Sequence, residues 1–222
     1  MCGIAGILRL GRAEAVDPGT IRDMVSVLSH RGPDGWGMYV DARVGLGHSR
    51  LSIIDLAGGA QPIPNEDETL WIVYNGEIFN YVELREELAA RGHRFRTATD
   101  TEVILHLFEE KGTACLAELN GQFAFAIWNS RKGELFLARD RMGIRPLHYT
   151  LQGRSLLFAS EIKSLFTVPE VPRRIDPVAM DQVFTFWTTL PGRTAFQGIL
   201  ELPPGCYLQA TGNGSDVRVQ RF

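Results

Sequence analysis

The chain has 222 residues, of which 45% are hydrophobic, and its 23 Lys and Arg against 26 Asp and Glu give a formal net charge of −3. It has no run of basic residues, which argues against nucleic acid or an anionic membrane as a partner. The three cysteines, Cys2, Cys115 and Cys206, are too few for a disulfide framework, and no apolar run approaches the roughly 20 residues of a membrane-spanning helix, so we expect a soluble cytoplasmic protein.

Strands and helices alternate in the first part of the chain. Met1–Leu8 is small and apolar, as in a buried strand. A helix begins at Asp17-Pro18, because the aspartate can cap it and the proline suits its first turn. The loop Asp55–Glu68 is rich in Gly and Pro and connects elements inside one domain, and Leu70–Tyr74 after it is rich in strand formers.

Two further helices follow, and both have capping signals. One begins at Asn80, with Glu83 three residues later. The other begins at Thr99 or Asp100, where Thr99 and Glu102 have the same spacing. This spacing predicts a capping box, in which each side chain bonds to the backbone N–H of the other residue.

Hairpins dominate the rest of the predicted structure. Phe123–Trp128 is apolar at every position, so both faces of that strand should be buried. A Lys-Gly turn leads from it into Glu134–Ala138, and a Gln-Gly turn joins His148–Leu151 to Ser155–Ala159. Hairpins imply antiparallel sheets, so the pattern predicts an α+β fold with sheets sandwiched between helices.

Cys2 is the first candidate for chemistry. Methionine is usually removed before a small side chain, and the mature chain would then begin with a thiol and a free α-amine on one residue. The amine has a pKa of about 7.7–8.0 and the thiol one of about 8.5, so the amine can accept the thiol proton. One residue would then supply both nucleophile and base. By position alone, a small residue buried in the first strand is the better interpretation, because free cysteines are among the most buried residues.

Seven segments together resemble one family. They are Cys2–Ile7, His30–Gly35, Gly47–Ile53, Tyr74–Ile78, Asp100–Glu102, Asp140–Leu147 and Ala159–Lys163. In this order they resemble the class II glutamine amidotransferases, which are N-terminal-nucleophile hydrolases. The run Leu51–Asp55 after Arg50 looks like the glutamine-hydrolysing asparagine synthetase branch, and so do the tail segments Thr194–Ile199 and Leu202–Gly205.

The resemblance implies that glutamine and water give glutamate and ammonia through a γ-glutamyl thioester on Cys2. The side-chain amide of Asn75 and the backbone N–H of Gly76 would stabilise the tetrahedral oxyanion. Taken alone, Asn-Gly is better interpreted as a simple hairpin turn, and only the series of motifs favours the oxyanion role.

Further residues are expected to hold the two charged ends of glutamine. Arg50 can bind the carboxylate in a bidentate pair, and Asp100 can bind the ammonium. Glu77 would add a polar contact, and Leu51 and Ile53 would offer backbone groups. The alternatives are a solvated arginine at position 50 and a helix cap at position 100.

The resemblance also implies a four-layer αββα sandwich of two mostly antiparallel sheets. We assign residues 1–210 to the amidotransferase domain and 211–222 to the start of a connection to a synthetase domain, whose signature is absent from this sequence. ATP and Mg would belong to that domain and no cofactor to this chain. The five histidines show no ligand-like spacing, so no metal site is expected.

The expected partners are glutamine, the synthetase domain and, as an option that the sequence leaves open, a second copy in a homodimer. Three alternatives to ammonia transfer for asparagine synthesis also stay open. The enzyme could amidate another carboxylate, the fold could be a non-catalytic remnant, or the site could act on a different amide.

Overall fold

The computed structural model describes residues 1–11, 15–212 and 216–222. The strands of these ranges are β1 (Gly3–Arg9), β2 (Gly35–Val40), β3 (Val44–Arg50), β4 (Ile63–Pro64), β5 (Leu70–Ile78), β6 (Gly121–Asn129), β7 (Glu134–Arg139), β8 (His148–Gln152), β9 (Ser155–Ala159), β10 (Ile199–Glu201), β11 (Cys206–Thr211) and β12 (Val217–Arg221). The helices are α1 (Pro18–Ser26), α2 (Tyr81–Ala90), α3 (Asp100–Lys111), α4 (Ile162–Leu165) and α5 (Pro177–Phe186), with a 3-10 helix at Gly112–Ala117. Among the described residues, no helix is long and apolar enough to cross a membrane.

The strands of the described ranges form two six-stranded antiparallel sheets. The first has the order β10-β8-β9-β1-β3-β2 and the second the order β12-β11-β7-β6-β5-β4. One apolar core lies between the sheets and contains Ile4 and Leu46 from the first sheet and Val73 from the second. Two outer cores bury α1 against the first sheet, and α2 and α3 against the second. The layers therefore run helix, sheet, sheet, helix, which confirms the predicted αββα sandwich.

The two predicted hairpins are confirmed as β6–β7 and β8–β9. Every residue of Phe123–Trp128 is buried, as the unbroken apolar run predicted. The reason is the position of β6 in the second sheet, where one face packs in the core between the sheets and the other beneath the helices.

Helix capping agrees only in part with the predictions. Asp17 caps α1, its carboxylate accepting from a backbone N–H of the first turn at 2.9 Å. Thr99 is the N-cap of α3, and its hydroxyl accepts from Glu102 N at 3.4 Å. The Glu102 carboxylate does not complete the box. It accepts instead from the backbone N–H groups of residues 96 and 97, at 2.8 and 2.7 Å, and so fixes the loop before the helix.

The predicted capping box at Asn80 is wrong. Asn80 precedes α2 but makes no side-chain capping bond, and its φ of −99° and ψ of 26° differ from the extended conformation usual at this position. Its side chain instead donates to Glu118 O at 2.9 Å and accepts from Asn120 N at 3.0 Å. The asparagine therefore joins the start of α2 to the turn before β6.

The segment 211–222, predicted as the start of a connection, contains β12. This strand pairs with β11 at the edge of the second sheet, with Leu208 opposite Val219. Residues 213–215 of the segment lie outside the described residues. The domain boundary at residue 210 itself stays a prediction.

Candidate active site

One cavity of about 270 Å³ collects the predicted site residues from both sheets. Its walls come from the residue before β1, the end of β3 and the loop after it, the end of β5 and the first turn of α3. The predicted residues that line it are Cys2, Arg50, Leu51, Ile53, Asn75, Gly76, Glu77 and Asp100. Residues that are far apart in the sequence thus meet at one edge of the space between the sheets.

The backbone around Cys2 is held from two sides. Ile4 N donates to Ser160 Oγ at 2.9 Å, and Ser160 N donates to Ile4 O at 2.8 Å. Arg31 donates through Nε to Cys2 O at 2.8 Å and through Nη1 to Glu161 at 2.9 Å. The segments His30–Gly35 and Ala159–Lys163 therefore position the start of β1. This contact explains why both motifs matter for a site at Cys2.

The Glu161 carboxylate stays charged in this network. Burial raises its pKa, but hydrogen bonds from Arg31, His30 and Lys163 outweigh this effect and lower the pKa to about 2. A permanent negative charge at Glu161 keeps the Arg31 guanidinium oriented towards the carbonyl of Cys2.

The thiol of Cys2 faces the backbone of Leu51. Leu51 N donates to Sγ at 3.4 Å, and Sγ lies 3.5 Å from Leu51 O, to which it can donate. Burial raises the pKa of Cys2, and the Leu51 N–H and the positive charges of the amino terminus, Arg50 and Arg145 offset that effect only in part. The sulfur is therefore held as a thiol at neutral pH and needs a base to become a nucleophile.

Asn75 and Gly76 do not form a turn. Both lie within β5, where Asn75 pairs with Ala124 and Gly76 with Phe123 of β6. A Cβ at position 76 would lie 2.2 Å from Gln122 O, so only glycine lets the two strands approach this closely. The hairpin-turn alternative for this dipeptide is wrong.

The free edge of β5 presents hydrogen-bond donors to the cavity. Tyr74 N donates to Gln61 Oε1 at 2.6 Å and Ile78 N donates to Asp100 Oδ2 at 3.0 Å, so both N–H groups point away from β6. By the alternation of a strand, the N–H of Gly76 between them points the same way. Asn75 Nδ2 is buried and has no hydrogen-bond partner among the described residues. The cavity wall thus carries two adjacent donors from consecutive residues.

Arg50 holds the loop that follows β3. Its Nη2 donates to Asp55 O at 2.6 Å and its Nη1 donates to Leu56 O at 3.3 Å. The Asp55 carboxylate in turn accepts from Gly58 N and Ala98 N, at 2.8 and 2.9 Å. The guanidinium is half-buried and oriented by these contacts, which contradicts the alternative of a freely solvated arginine.

Asp100 is the first residue of α3, and the cap of that helix is Thr99, so the helix-cap alternative for Asp100 is wrong. Its Oδ2 accepts from Tyr74 Oη at 2.8 Å and from Ile78 N at 3.0 Å. Burial raises the pKa of Asp100, and these two hydrogen bonds oppose the rise. The carboxylate therefore ties α3 to the strand that carries Asn75 and Gly76.

Arg145 is a cavity residue to which the sequence analysis assigned no role. It lies in the motif Asp140–Leu147. The Asp140 carboxylate orders this loop by accepting from three of its backbone N–H groups at 3.0–3.1 Å, and ties it to β6 by accepting from Phe123 N at 3.1 Å. Arg145 lines the same cavity as Cys2, and its charge lowers the pKa of the thiol. The motif itself was the signal that could have pointed to it. Gln61, whose side chain holds Tyr74 N, was missed because it lies in a loop without a motif.

His48 belongs to a motif but does not line the cavity. It is fully buried, and its Nε2–H donates to Tyr74 O at 3.1 Å. Burial lowers the pKa of His48 to about 3, so the imidazole is neutral. The side chain joins β3 of the first sheet to β5 of the second. Because it is neutral, it adds no positive charge that could stabilise the Cys2 thiolate.

Comparison with known proteins places this architecture among amidotransferases. A family model described as a glutamine amidotransferase domain matches residues 1–222. Glutamine-hydrolyzing asparagine synthetase 3 of Bacillus subtilis is 39% identical over 220 residues, which are 98% of this chain and 36% of the relative. Asparagine synthetase 2 of the same organism is 46% identical over 178 residues, 79% of this chain and 24% of the relative. The chain thus spans about a third or less of the length of these relatives.

Solved structures share the fold. Glutamine phosphoribosylpyrophosphate amidotransferase from B. subtilis, complexed with ADP and GMP, superposes with a TM-score of 0.72 at 23% identity. The match covers 99% of this chain and 49% of that chain. At this identity the likeness supports the fold and does not extend to the substrate.

Proposed function

The chain belongs to the glutamine amidotransferase domain family, with relatives named as glutamine-hydrolyzing asparagine synthetases, and we propose that it hydrolyses glutamine to glutamate and ammonia with the Cys2 thiol as nucleophile. One observation carries the proposal. The thiol shares a single cavity with two adjacent hydrogen-bond donors at Asn75 and Gly76, and with opposite charges at Arg50 and Asp100. A free amino acid with a side-chain amide matches this set of groups.

The α-amine of Cys2 serves as the base once Met1 has been removed. The burial that raises the thiol pKa makes such a base necessary, and while Met1 is attached the nitrogen is an amide that cannot accept a proton. After removal, the amine takes the thiol proton directly or through one water molecule. The thiolate then attacks the amide carbon of the glutamine side chain.

Asn75 and Gly76 stabilise the tetrahedral intermediate. Asn75 Nδ2 and the N–H of Gly76 donate to the oxygen that becomes negatively charged as the sulfur–carbon bond forms. The carbon–nitrogen bond breaks, the leaving group takes a proton from the ammonium of Cys2, and ammonia departs. Water then attacks the γ-glutamyl thioester by the same route, releasing glutamate and restoring the thiol. The protein need not reorganise during these steps, because β5 holds both donors in place.

Arg50 and Asp100 select free glutamine. The guanidinium binds the substrate carboxylate, and Asp100 Oδ1 binds its ammonium, because Oδ2 is already occupied by Tyr74 and Ile78. Glu77, Leu51 and Ile53 complete the cavity wall. A peptide-bound glutamine would leave both charged side chains without their partners, which is costly in a partly buried site.

The ammonia would serve ATP-dependent asparagine synthesis in a further domain. The support is that the curated relatives extend well beyond the length that this chain matches. The described surface also exposes a set of large apolar side chains at the end of α5: Phe184, Phe186 and Trp187, with Trp187 92% exposed. Apolar side chains exposed together typically mark a surface that another protein unit covers. We assign this surface to the synthetase domain.

The test compares two cysteine variants. Cys2→Ala should abolish the release of ammonia and glutamate from glutamine, while Cys206→Ala, which alters a buried thiol that does not line the cavity, should keep it. The intact mass of the active protein should lack Met1. Glutamine blocked at its α-amine or at its α-carboxylate should not be hydrolysed. Activity retained by Cys2→Ala would end the proposal, and no turnover by a parent chain with a free Cys2 would favour a non-catalytic remnant.

A further inference from the structure

A second cluster of ionisable side chains lies along α3, beyond its first turn at Asp100. It consists of Glu66 from the connection between β4 and β5, His93 from the connection between α2 and α3, and His106 and Glu109 from α3. One ligand atom from each of the four residues lies within 4.8 Å of the other three. None of these residues lines the cavity of Cys2.

The separations in this cluster suit a shared metal ion better than hydrogen bonds. His106 Nδ1 lies 3.5 Å from one oxygen of Glu66 and 3.5 Å from one of Glu109. His93 Nδ1 lies 3.8 and 3.9 Å from oxygens of the same two carboxylates. These distances are too long for hydrogen bonds. In a tetrahedral zinc site with bonds of about 2.0–2.1 Å, neighbouring ligand atoms are about 3.4 Å apart, so shifts of a few tenths of an ångström would close the site.

His106 provides an independent sign of a missing partner. Its side chain is fully buried, and neither ring nitrogen has a hydrogen-bond partner among the described residues. A buried polar group left in this state is costly and calls for a ligand.

The outer nitrogens of the two histidines face further carboxylates. His93 Nε2 lies 3.0 Å from Glu110 Oε1, and His106 Nε2 lies 3.6 Å from Glu102 Oε1. Each ring thus directs Nδ1 to the centre of the cluster and Nε2 to a carboxylate outside it. This is the arrangement by which carboxylates orient metal-binding histidines and raise their basicity.

The charge of the cluster also calls for a cation. Glu66 and Glu109 lie inside it, with Glu102 and Glu110 beside it. In their ionised form these four carboxylates outnumber the two imidazoles together with Arg91, whose Nη1 lies 3.6 Å from Glu110 Oε2. Mg²⁺ and Ca²⁺ prefer oxygen ligands alone, whereas two imidazoles with two carboxylates suit a first-row transition metal.

We propose that Glu66, His93, His106 and Glu109 bind one divalent transition metal ion, for which Zn²⁺ is the best match. The ion joins three segments that hold no continuous motif, which is why the histidine spacing predicted no metal site. With four protein ligands it is a structural site, and it fixes the two connections against α3. Glu66 already contributes to this arrangement by accepting from Arg94 N at 3.0 Å.

The experiment measures binding to the metal-stripped full chain with Zn²⁺ and, as a spectroscopic probe, Co²⁺. The background is Cys2→Ser, because an amino-terminal thiol could itself bind these ions. We expect one ion per chain after gel filtration, visible absorption bands typical of tetrahedral Co²⁺, and a higher Tm with Zn²⁺ than with chelator.

Substitutions in the cluster test where the ion binds, with metal content and Tm as the measurements in place of catalytic activity. His93→Gln and Glu109→Gln should lose the stoichiometric ion and the Zn²⁺-dependent rise in Tm. Glu110→Gln should weaken binding about 10–100-fold by removing the carboxylate that orients His93. Glu86→Gln, at an exposed position of α2, should bind like the parent. The proposal is overturned if the parent binds no stoichiometric ion, or if His93→Gln and Glu109→Gln bind it as tightly as the parent does.

Discussion

Asn75→Ala separates the proposed catalytic role of a buried amide from any structural one. Asn75 is 1% exposed, and its Nδ2 has no partner among the described residues. In the proposed reaction this group is used only when the oxyanion forms. The substitution should therefore slow turnover and leave the folded state almost unaffected, which is unusual for a buried polar residue.

The expected loss of activity follows from the loss of one oxyanion donor. Removing such a donor costs about 10²–10³ in kcat, or about 2.7–4 kcal/mol. The fold, by contrast, loses no hydrogen bond of Nδ2, and a buried donor without a partner is itself unfavourable by about 1–3 kcal/mol. Removing this unpaired donor stabilises the folded state and offsets the packing lost with the side chain. We therefore expect a Tm within about 3 °C of the parent, because 1 kcal/mol shifts Tm by about 2–4 °C in a chain of this size.

Asn65→Ala is the matched control. Asn65 is equally buried, but its Oδ1 accepts from Thr69 N at 2.9 Å and from Leu70 N at 3.0 Å. Its loss leaves the buried Leu70 N without an acceptor, at a cost of about 1–3 kcal/mol, while Thr69 N keeps a second acceptor in Asp67 Oδ1 at 3.2 Å. The hydrogen bond from Asn65 Nδ2 to Glu109 Oε1, at 3.0 Å, is lost as well. The control should therefore melt several degrees lower while keeping its rate of glutamine hydrolysis.

The assay follows ammonia and glutamate under saturating glutamine, with thermal unfolding recorded on the same samples. A kcat for Asn75→Ala within threefold of the parent would show that the amide does not stabilise the oxyanion. A drop in Tm as large as that of Asn65→Ala would show that Asn75 has a structural role instead.

Three further substitutions test the site and its support. Gly76→Ala should abolish turnover and destabilise the chain, because the new Cβ would lie 2.2 Å from Gln122 O. Gly35→Ala is the control, because no heavy atom lies within 4 Å of a Cβ at that position. Equal activity and stability of the two variants would contradict this reasoning. Arg50→Lys should raise KM for glutamine about 10–100-fold and change kcat less, because a charge-assisted pair worth about 1.5–3 kcal/mol is lost. An unchanged KM would show that Arg50 does not bind the substrate carboxylate. The pKa of Glu161 is about 2 in the folded chain against an ordinary 4.5, so its stabilisation is complete above pH 4.5 and is lost as the pH falls towards 2. Glu161→Gln should therefore flatten the pH dependence of the free energy of unfolding between pH 2 and pH 4.5, which denaturant titrations at several pH values measure. The same pH dependence in Glu161→Gln as in the parent would show that Glu161 does not stabilise the fold in this way.

The sequence predicted those parts of the fold whose cause is local. The apolar run Phe123–Trp128, the Asp17 cap and the two hairpins depend on neighbouring residues, and the structure has them where the pattern placed them. The four-layer arrangement came from the family resemblance, because the pairing of β1 with β3 and β9 joins segments that no local signal connects.

The rejected turn at Asn75-Gly76, the wrong cap at Asn80 and the omission of Arg145 all have long-range causes. Asn75-Gly76 carries the strongest local signal for a turn, but β6 pairs with both residues and keeps them in a strand. Asparagine is a favoured N-cap residue, but the turn at residues 118–120 offers the side chain of Asn80 other hydrogen-bond partners. Arg145 reaches the cavity through a loop that the Asp140 carboxylate shapes, and although the motif Asp140–Leu147 marked that loop, no local pattern shows which part of the fold the loop contacts.

The anchoring of β1 decides where an affinity tag can be placed on this protein. Gly3 already pairs with Ser49, and Met1 lines the cavity that glutamine would enter. A peptide fused ahead of Met1 would leave through the mouth of that cavity and keep the nitrogen of Cys2 acylated. Phe222 instead follows β12, which β11, β7 and β6 separate from β5, so a recombinant chain of residues 1–222 for kinetic work should carry its tag after Phe222.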